Sequence, residues 1–514
     1  MSTQGGDFST VFISLLIGIA LASFIYRYRR TPPLPPGPTR WPVVGSAFGL
    51  PKEHEWLTYE RWSQEHGSGL LYYSSWGKPF VIINSHEVAV DLLERRSAIY
   101  ADRPRMHMLN DLCGWGWDLG LLPYGDDWKL ARKLFTQHFR QAASVRYRDE
   151  ETRCARELVR DIMRDQTQLY EHVRLLYGKL IMSVTYGIDV RSADDPYITI
   201  ARKALYAINV AGNVGTYLVD SIPALKYVPT WFPGAQFKRD AREWKKCATA
   251  MAHKPYEAVR AAMKSGTAKP SVLKSMLEEL GEDLSHQQEK AAISATGTAY
   301  EAASETAWSA SLTVILAMVL FPDTQRKAQE ELDRAVGRER LPEFSDLPSL
   351  PYITAICMEA VRWRPPLPLA VMHRVTKDDL YQGYRIPGGS TVVLNSWALL
   401  HDPARYPDPD VFRPERYLTP SGALDPSAPE PVAGFGFGRR ACPGSFMAQD
   451  TLWIAAASLL WAFRMERAID AAGRPIEISG EYTVGVVSYP APFEYALNPR
   501  AESLLSLAEL VVPV

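Results

Sequence analysis

Between about residue 87 and residue 320, apolar side chains recur at spacings of three and four, the repeat that gives a helix one buried face. Helices are predicted throughout that stretch. Just before it, GLLYYSSW and PFVIINS flank Gly77-Lys78 and predict a β-hairpin. One helix stands apart: Ser285 and Gln288 form a capping box at its start, Pro322 ends it, and residues 285–321 read as a single long helix. Its second half, SLTVILAMVLF, is apolar nearly all round yet too short and interrupted to span a bilayer. The helix is therefore expected to run through the middle of a large domain. After Pro365 the periodicity gives way to short strands and proline-rich loops, then FRPERY, FGFGRRACPG and an apolar helix over 452–463. The connection TYLVDSIPALKYVPTWFPG, residues 216–234, has two readings, a packed loop or a loop that dips into a membrane. The expected class is mainly α with smaller β-sheets.

The N-terminus adds a further element. VFISLLIGIALASFIY, residues 11–26, is apolar, and Arg27, Arg29 and Arg30 follow at once. About 20 residues cross a bilayer upright, which this run reaches with Phe8 and snorkelling ends. No basic residue precedes it, the wrong polarity for a cleaved signal peptide. The expectation is a short lumenal N-terminus over 1–9, a transmembrane helix over 10–26, a basic and proline-rich hinge over 27–50, and the body over 51–514. Positive charge after the run puts the body in the cytosol, as a single-pass protein. The lack of any N-x-S/T sequon agrees. Within the hinge, TPPLPPGPTRWPVVG reads as a stiff extended spacer.

Charge excludes one class of partner. With 57 basic and 58 acidic side chains there is no overall field to draw in nucleic acid. Five cysteines are present and none forms a C-x-x-C pair, which argues against a zinc or thioredoxin-type site. Cys113, Cys154, Cys247 and Cys357 are expected as buried small hydrophobes. Cys442 differs. Pro443 is placed at the first turn of the following helix, so the thiol would face a helix N-terminus, which favours thiolate. Gly438 and Gly444 would let the backbone approach a flat group, and Arg440 would pair with an anion. An axial thiolate on haem iron fits this pattern, and a buried cysteine in a turn is the alternative.

The spacing F-x-x-G-x-R-x-C-x-G is met at Phe435, Gly438, Arg440, Cys442 and Gly444. With it the chain resembles the cytochrome P450 haem-thiolate monooxygenases over about residues 31–500. The resemblance implies the cytochrome P450 fold with an N-terminal transmembrane helix, haem b held by the Cys442 thiolate, and dioxygen as co-substrate. Glu359-Ala-Val-Arg362 resembles the family's E-x-x-R helix, and Arg416 in FRPERY the arginine that completes its charge cluster. Trp128 and Arg132 resemble the W-x-x-x-R pair that binds a propionate, and Arg103 and His373 fall where relatives place further propionate partners. The wording around YPDPDVFRPERYL is most similar to fungal microsomal members of secondary metabolism. These include groups similar to O-methylsterigmatocystin oxidoreductase and the fungal tryptamine hydroxylases.

On the long helix, Ala302-Ala303-Ser304-Glu305-Thr306 resembles the family's A/G-G-x-D/E-T, which implies Glu305 and Thr306 as the acid–alcohol pair that delivers protons. Ala303 departs from the usual glycine, and Ala307 from the common second Thr or Ser. Glu301 shares a helix face with Glu305. It either forms a salt bridge outside the pocket or holds a cationic or hydroxylated substrate. By resemblance the pocket is lined by Met106, Met108, Leu109, Ala302, Val371 and Val486, small or apolar side chains that suit a hydrophobic substrate.

The function implied is oxidation of a hydrophobic small molecule, with a terpenoid or polyketide scaffold first and an indole, phenolic or xenobiotic compound as alternative. The chain shows no flavin or dinucleotide domain after Cys442. Electrons are therefore expected from NADPH through a separate cytochrome P450 reductase, with cytochrome b5 as a second possible donor. Lys129, Lys133 and Arg140 would form a positive docking patch for such a partner or would be solvated helix charges. An O2-independent haem-thiolate isomerase or dehydratase is the rival enzyme, and a haem or lipid binder the rival outside catalysis. Retention of Glu305-Thr306 speaks against both.

Overall fold

The computed structural model describes residues 12–16, 32–51, 53–212 and 216–500. Helices dominate and sheets are small. The long helix runs His286–Leu320, with the Ser285 hydroxyl accepting from the Gln288 N–H and the Gln288 side chain accepting from the Ser285 N–H. Phe321 caps its end, and Pro322 opens the next helix, Pro322–Ala335, where its missing N–H costs nothing.

Helices Asp126–Phe139, Leu169–Tyr186, Gln236–Lys264 and Ser445–Ala462 all pack on the long helix. That enclosure is why it can be apolar all round. It is the one described helix long and apolar enough to cross a membrane, but 83% of its most apolar window is buried in protein. Ser445–Ala462 starts earlier than the expected 452. Its first turns are amphipathic, with Met447 buried and Phe446 exposed, and only the later part is apolar all round.

The hairpin forms as read. Leu70–Ser75 pairs with Lys78–Ile83, and the chain reverses at Trp76 and Gly77, both at positive φ. Lys78–Ile83 then pairs in parallel with Thr391–Leu394, in the register Val81↔Val392, and His373–Arg374 adds on the far side with His373↔Val392. This pairing brings His373 from the C-terminal half into the same sheet as the first hairpin, one strand away from it.

Over residues 32–40 the proline-rich segment is extended, as expected, but Trp41–Gly45 folds into a tight turn with Val43 at positive φ, and the segment does not stand free. The Tyr72 N–H donates to Pro36 O and the Arg385 N–H to Pro33 O. A Cβ on Gly37 would meet Tyr72 O at 2.1 Å, so the spacer lies along the hairpin. Of the N-terminal apolar run, residues 12–16 are helical with Phe12, Ile13, Leu15 and Leu16 exposed; the rest of the expected transmembrane helix lies outside the described residues. Cys113, Cys154 and Cys357 are buried, whereas Cys247 is only half-buried. The connection before Gln236–Lys264 is not a packed loop throughout: Trp231 is 79% and Tyr227 77% exposed, and Leu218, Ile222 and Phe232 are exposed beside them.

Candidate active site

Cys442 sits in a loop closed by its own N–H, which donates to Phe435 O at 2.7 Å. The two glycines differ in their contacts with the rest of the chain. Gly438, at φ +59°, lies against another part of the protein, because a Cβ there would meet Leu93 O at 2.0 Å. No comparable approach occurs at Gly444, where a Cβ would have Phe135 at 3.9 Å. Pro443 precedes the helix instead of opening it, since Gly444 is the N-cap of Ser445–Ala462. The Cys442 thiol is accessible, yet its pKa is raised by burial, with the Gly444 N–H and the Arg132 charge pulling it back down.

Three arginines and a histidine gather at this loop. Arg132 donates to Ala441 O at 2.7 Å. Arg440 donates to Ala101 O, Leu119 O and Leu122 O and lies 4.4 Å from the Trp128 ring. Arg103 donates to Gly120 O, Val371 O and Met372 O. His373 Nδ1–H donates to Tyr100 O at 2.9 Å. None of the three arginines forms an ion pair among the described residues. Burial lowers the pKa of each, and Arg103 and Arg440 further depress His373. The three guanidinium groups are thus hydrogen-bonded to backbone carbonyls, with the charges of Asp102 and Asp118 near Arg103 and Arg440.

Behind the loop, Arg362 Nε and Nη2 grip Glu359 at 2.7 and 2.8 Å, and Arg416 Nε reaches the same carboxylate at 3.0 Å. The Arg413 N–H adds a further bond at 2.8 Å. Glu359 and Arg362 are fully buried. Glu359 and Arg362 lie one turn apart on helix Pro351–Trp363, which brings the i,i+3 pair together, while Arg416 arrives from the short helix Pro414–Tyr417.

The long helix carries the other half. From Ala291 to Val319 every residue is buried except Glu301, Ala302, Ala303 and Thr306. Here the helix borders a cleft. Thr306 Oγ1 donates to Ala302 O at 2.7 Å. Glu305 does not meet Thr306. It is buried on the side facing Arg174, 3.9 Å away, and Arg174 stacks 4.0 Å from Trp308. Burial raises the Glu305 pKa, and Arg174 and Arg202 oppose that rise. Glu301 makes no hydrogen bond or ion pair among the described residues, which removes the salt-bridge reading. Of the expected pocket residues, Met106, Ala302, Val371 and Val486 keep some access. Met108 and Leu109, at 0% and 1% exposure, are packed into the core and border no water-sized space. Sequence reasoning missed Asp118, which accepts from the Gly120 N–H and from Thr298 Oγ1, the latter on the long helix far along the chain.

The sequence pattern described as Cytochrome P450 matches residues 35–496. The chain belongs to the cytochrome P450 family. Similar proteins include the tryptamine 4-monooxygenase of Psilocybe cyanescens, 38% identical over 96% of this chain and 99% of that one. Cytochrome P450 monooxygenase 105 of Postia placenta is 40% identical over 96% and 94%. A cytochrome P450 monooxygenase of Armillaria gallica is 39% identical over 94% and 95%. This P450 is a monooxygenase, and its family implies haem with a cysteine thiolate and dioxygen. The residues fit that group: the accessible Cys442 thiol suits an iron ligand, and the carbonyl-bound cations suit two propionates. His373, with Nδ1–H already donating, offers a donor at Nε2 only as imidazolium, the form an adjacent carboxylate favours.

Proposed function

We propose that this P450 oxidises a hydrophobic small molecule of secondary metabolism, taking electrons from NADPH through a separate cytochrome P450 reductase, with cytochrome b5 as a possible second donor. The observation that carries the reading is the break in burial at Glu301–Thr306 on an otherwise enclosed helix, in a chain that also presents an accessible Cys442. Cys442 is the iron ligand, and Arg103, Trp128, Arg132, His373 and Arg440 hold the propionates. When bound, the haem supplies activation of dioxygen and insertion of one oxygen atom.

The chain's own residues select and orient the substrate and move protons. Thr306 presents a hydroxyl at the cleft, and Glu305, whose pKa burial raises against the pull of Arg174 and Arg202, is the carboxyl placed to exchange protons on the side of Arg174. Met106, Ala302, Val371 and Val486 give an apolar wall, which suits a terpenoid or polyketide scaffold. The relative named a tryptamine 4-monooxygenase favours the second reading, an indole. Co-expression with a reductase, feeding of both scaffold classes and mass spectrometry for gain of one oxygen atom decide between them. Absence of any oxygenated product from an enzyme with intact haem counts against both.

Replacing Thr306 with alanine removes the hydroxyl and leaves Cys442 and the cationic cluster in place. Substrate binds and NADPH is consumed, but product per NADPH falls by about 10²-fold, the low end for one proton-transfer group because water can substitute in part. The electrons appear as hydrogen peroxide. An unchanged product-to-NADPH ratio would show that protons arrive without Thr306.

Residence on the endoplasmic-reticulum membrane, body in the cytosol, is part of the same proposal. The exposed Leu218, Ile222, Tyr227, Trp231 and Phe232 suit a second contact with lipid beside the N-terminal anchor. Deleting residues 1–27 should release much of the protein from membranes at unchanged haem content, read by pelleting and by haem absorbance. Loss of haem would assign the segment to the fold. On the reductase side, Lys133 and Arg140 are exposed, and Lys129 is exposed with Asp126 at 2.9 Å, available to an acidic partner.

A further inference from the structure

Glu301 occupies an unusual place. It is an interior carboxylate that borders the cleft and has no hydrogen-bonded or ion-paired partner among the described residues. Its neighbours at i−4 and i−3 on the long helix are Gly297 and Thr298. Both receive the segment Trp115-Gly116-Trp117-Asp118. The Trp117 ring lies on Gly297 so closely that a Cβ there would meet it at 2.7 Å. Asp118 Oδ1 accepts from Thr298 Oγ1 at 3.1 Å, and the Leu119 N–H donates to the same hydroxyl at 2.8 Å. An aromatic face and a second carboxylate are thus fixed one helical turn from Glu301, on its own side of the helix.

The charges around this corner do not cancel. Arg103 and Arg440 act on Asp118, and Arg174 and Arg202 act on Glu305. Among the described residues no cation acts on Glu301; burial first, and then the charges of Asp118 and Glu305, raise its pKa well above the usual carboxylate value. A carboxylate so placed costs stability, and a cation brought in by a ligand would remove that cost. Aromatic rings beside carboxylates are also the side-chain set that recognises ammonium groups.

We propose that Glu301, with Trp117 and Asp118 beside it, is the recognition point for a cationic nitrogen, so that the substrate is an apolar skeleton carrying an ammonium group. The inference rests on the monooxygenase reading above and favours a basic, aromatic class over neutral terpenoids or polyketides. A ligand hydroxyl or carbonyl at a neutral Glu301 is the competing chemistry, and the probes separate the two.

The experiment uses the full-length holoenzyme and a matched pair of probes, a dimethylaminoalkyl benzene and its carbon isostere in which CH replaces the nitrogen. Equilibrium dialysis gives the Kd of each for wild type, Glu301→Gln and Glu301→Asp. The reduced CO spectrum of every variant reports the haem site independently. In wild type the amine should bind at least about tenfold more tightly than the isostere. Glu301→Gln should abolish that preference while moving the isostere less than about twofold, and Glu301→Asp should restore part of it. Equal weakening of both probes would reduce Glu301 to a shaping role and overturn the proposal, as would a wild type without preference for the amine. A wild type lacking the thiolate-type CO spectrum would sink the haem-thiolate reading instead, whatever the amine does.

Discussion

Cys442→Ser yields a folded protein whose reduced CO complex has no thiolate-type spectrum and whose monooxygenase activity is lost. The expectation follows from what the substitution leaves alone. The loop is held by the Cys442 N–H on Phe435 O, by Gly438 against Leu93 and by Arg132 on Ala441 O, none of which involves the sulfur. Serine fits the same volume, so loop and cations keep their positions. What changes is the ligand. The Gly444 N–H and Arg132 draw the thiol toward its anion against the effect of burial, but the same two influences are far too weak to ionise an alcohol. A neutral hydroxyl is a poor ligand for ferric haem and gives no comparable electron donation. Haem content should fall in part, since the propionate cations remain, while turnover should drop below detection. The CO difference spectrum, haem absorbance per protein and product formation measure the three effects. A normal thiolate spectrum in this variant would remove Cys442 from its role.

The second large effect concerns stability. Glu359→Gln keeps the shape of the buried side chain and removes the charge that three donors share: Arg362, Arg416 and the Arg413 N–H. Arg362 is then a fully buried guanidinium without a counter-charge. Breaking a buried pair from one side costs about 3–5 kcal/mol. Set against a total stability of roughly 5–15 kcal/mol, that loss is expected to leave little soluble haem protein at growth temperature. Pairing Glu359→Gln with Arg362→Met should recover part of the yield, because an apolar replacement no longer strands the cation. Yield of haem-loaded protein and the denaturant midpoint are the readouts. A Glu359→Gln unfolding free energy within about 1 kcal/mol of wild type would mean that Arg416 and Arg362 are satisfied by the carbonyls they also touch.

Local chemistry was legible in the sequence. Ser285 with Gln288, Pro322, Gly77 and the apolar periodicity each act within a few residues, and the corresponding helix and hairpin form where they were read. The cysteine signature and the E-x-x-R pair were equally plain, because their residues lie on one loop and one helix turn. What could not be read depends on partners distant in sequence. Gly438 is fixed by the Leu93 carbonyl, Asp118 by Thr298, and the direction of Glu305 by Arg174 on another helix. Met108 and Leu109 look like lining residues in sequence. Only the packing of the helices around them makes them core. Glu301 is the sharpest instance, since the absence of a partner is a property of every surrounding element at once.

The parallel pairing of Lys78–Ile83 with Thr391–Leu394 has a consequence for biosynthesis. The two strands are separated by roughly 300 residues, which at about 5–20 residues per second takes a ribosome roughly 15–60 s to make. Through that interval Phe80, Val81, Ile82 and Ile83 form an unpaired apolar edge, the kind of strand that recruits other chains. The candidate haem-binding residues are divided in the same way: Arg103 and Arg132 emerge early, whereas His373, Arg440 and Cys442 come late. The set of candidate haem-binding residues is complete only once Cys442 has been made, and the open edge of the first hairpin meets its partner strand only once residue 394 has emerged.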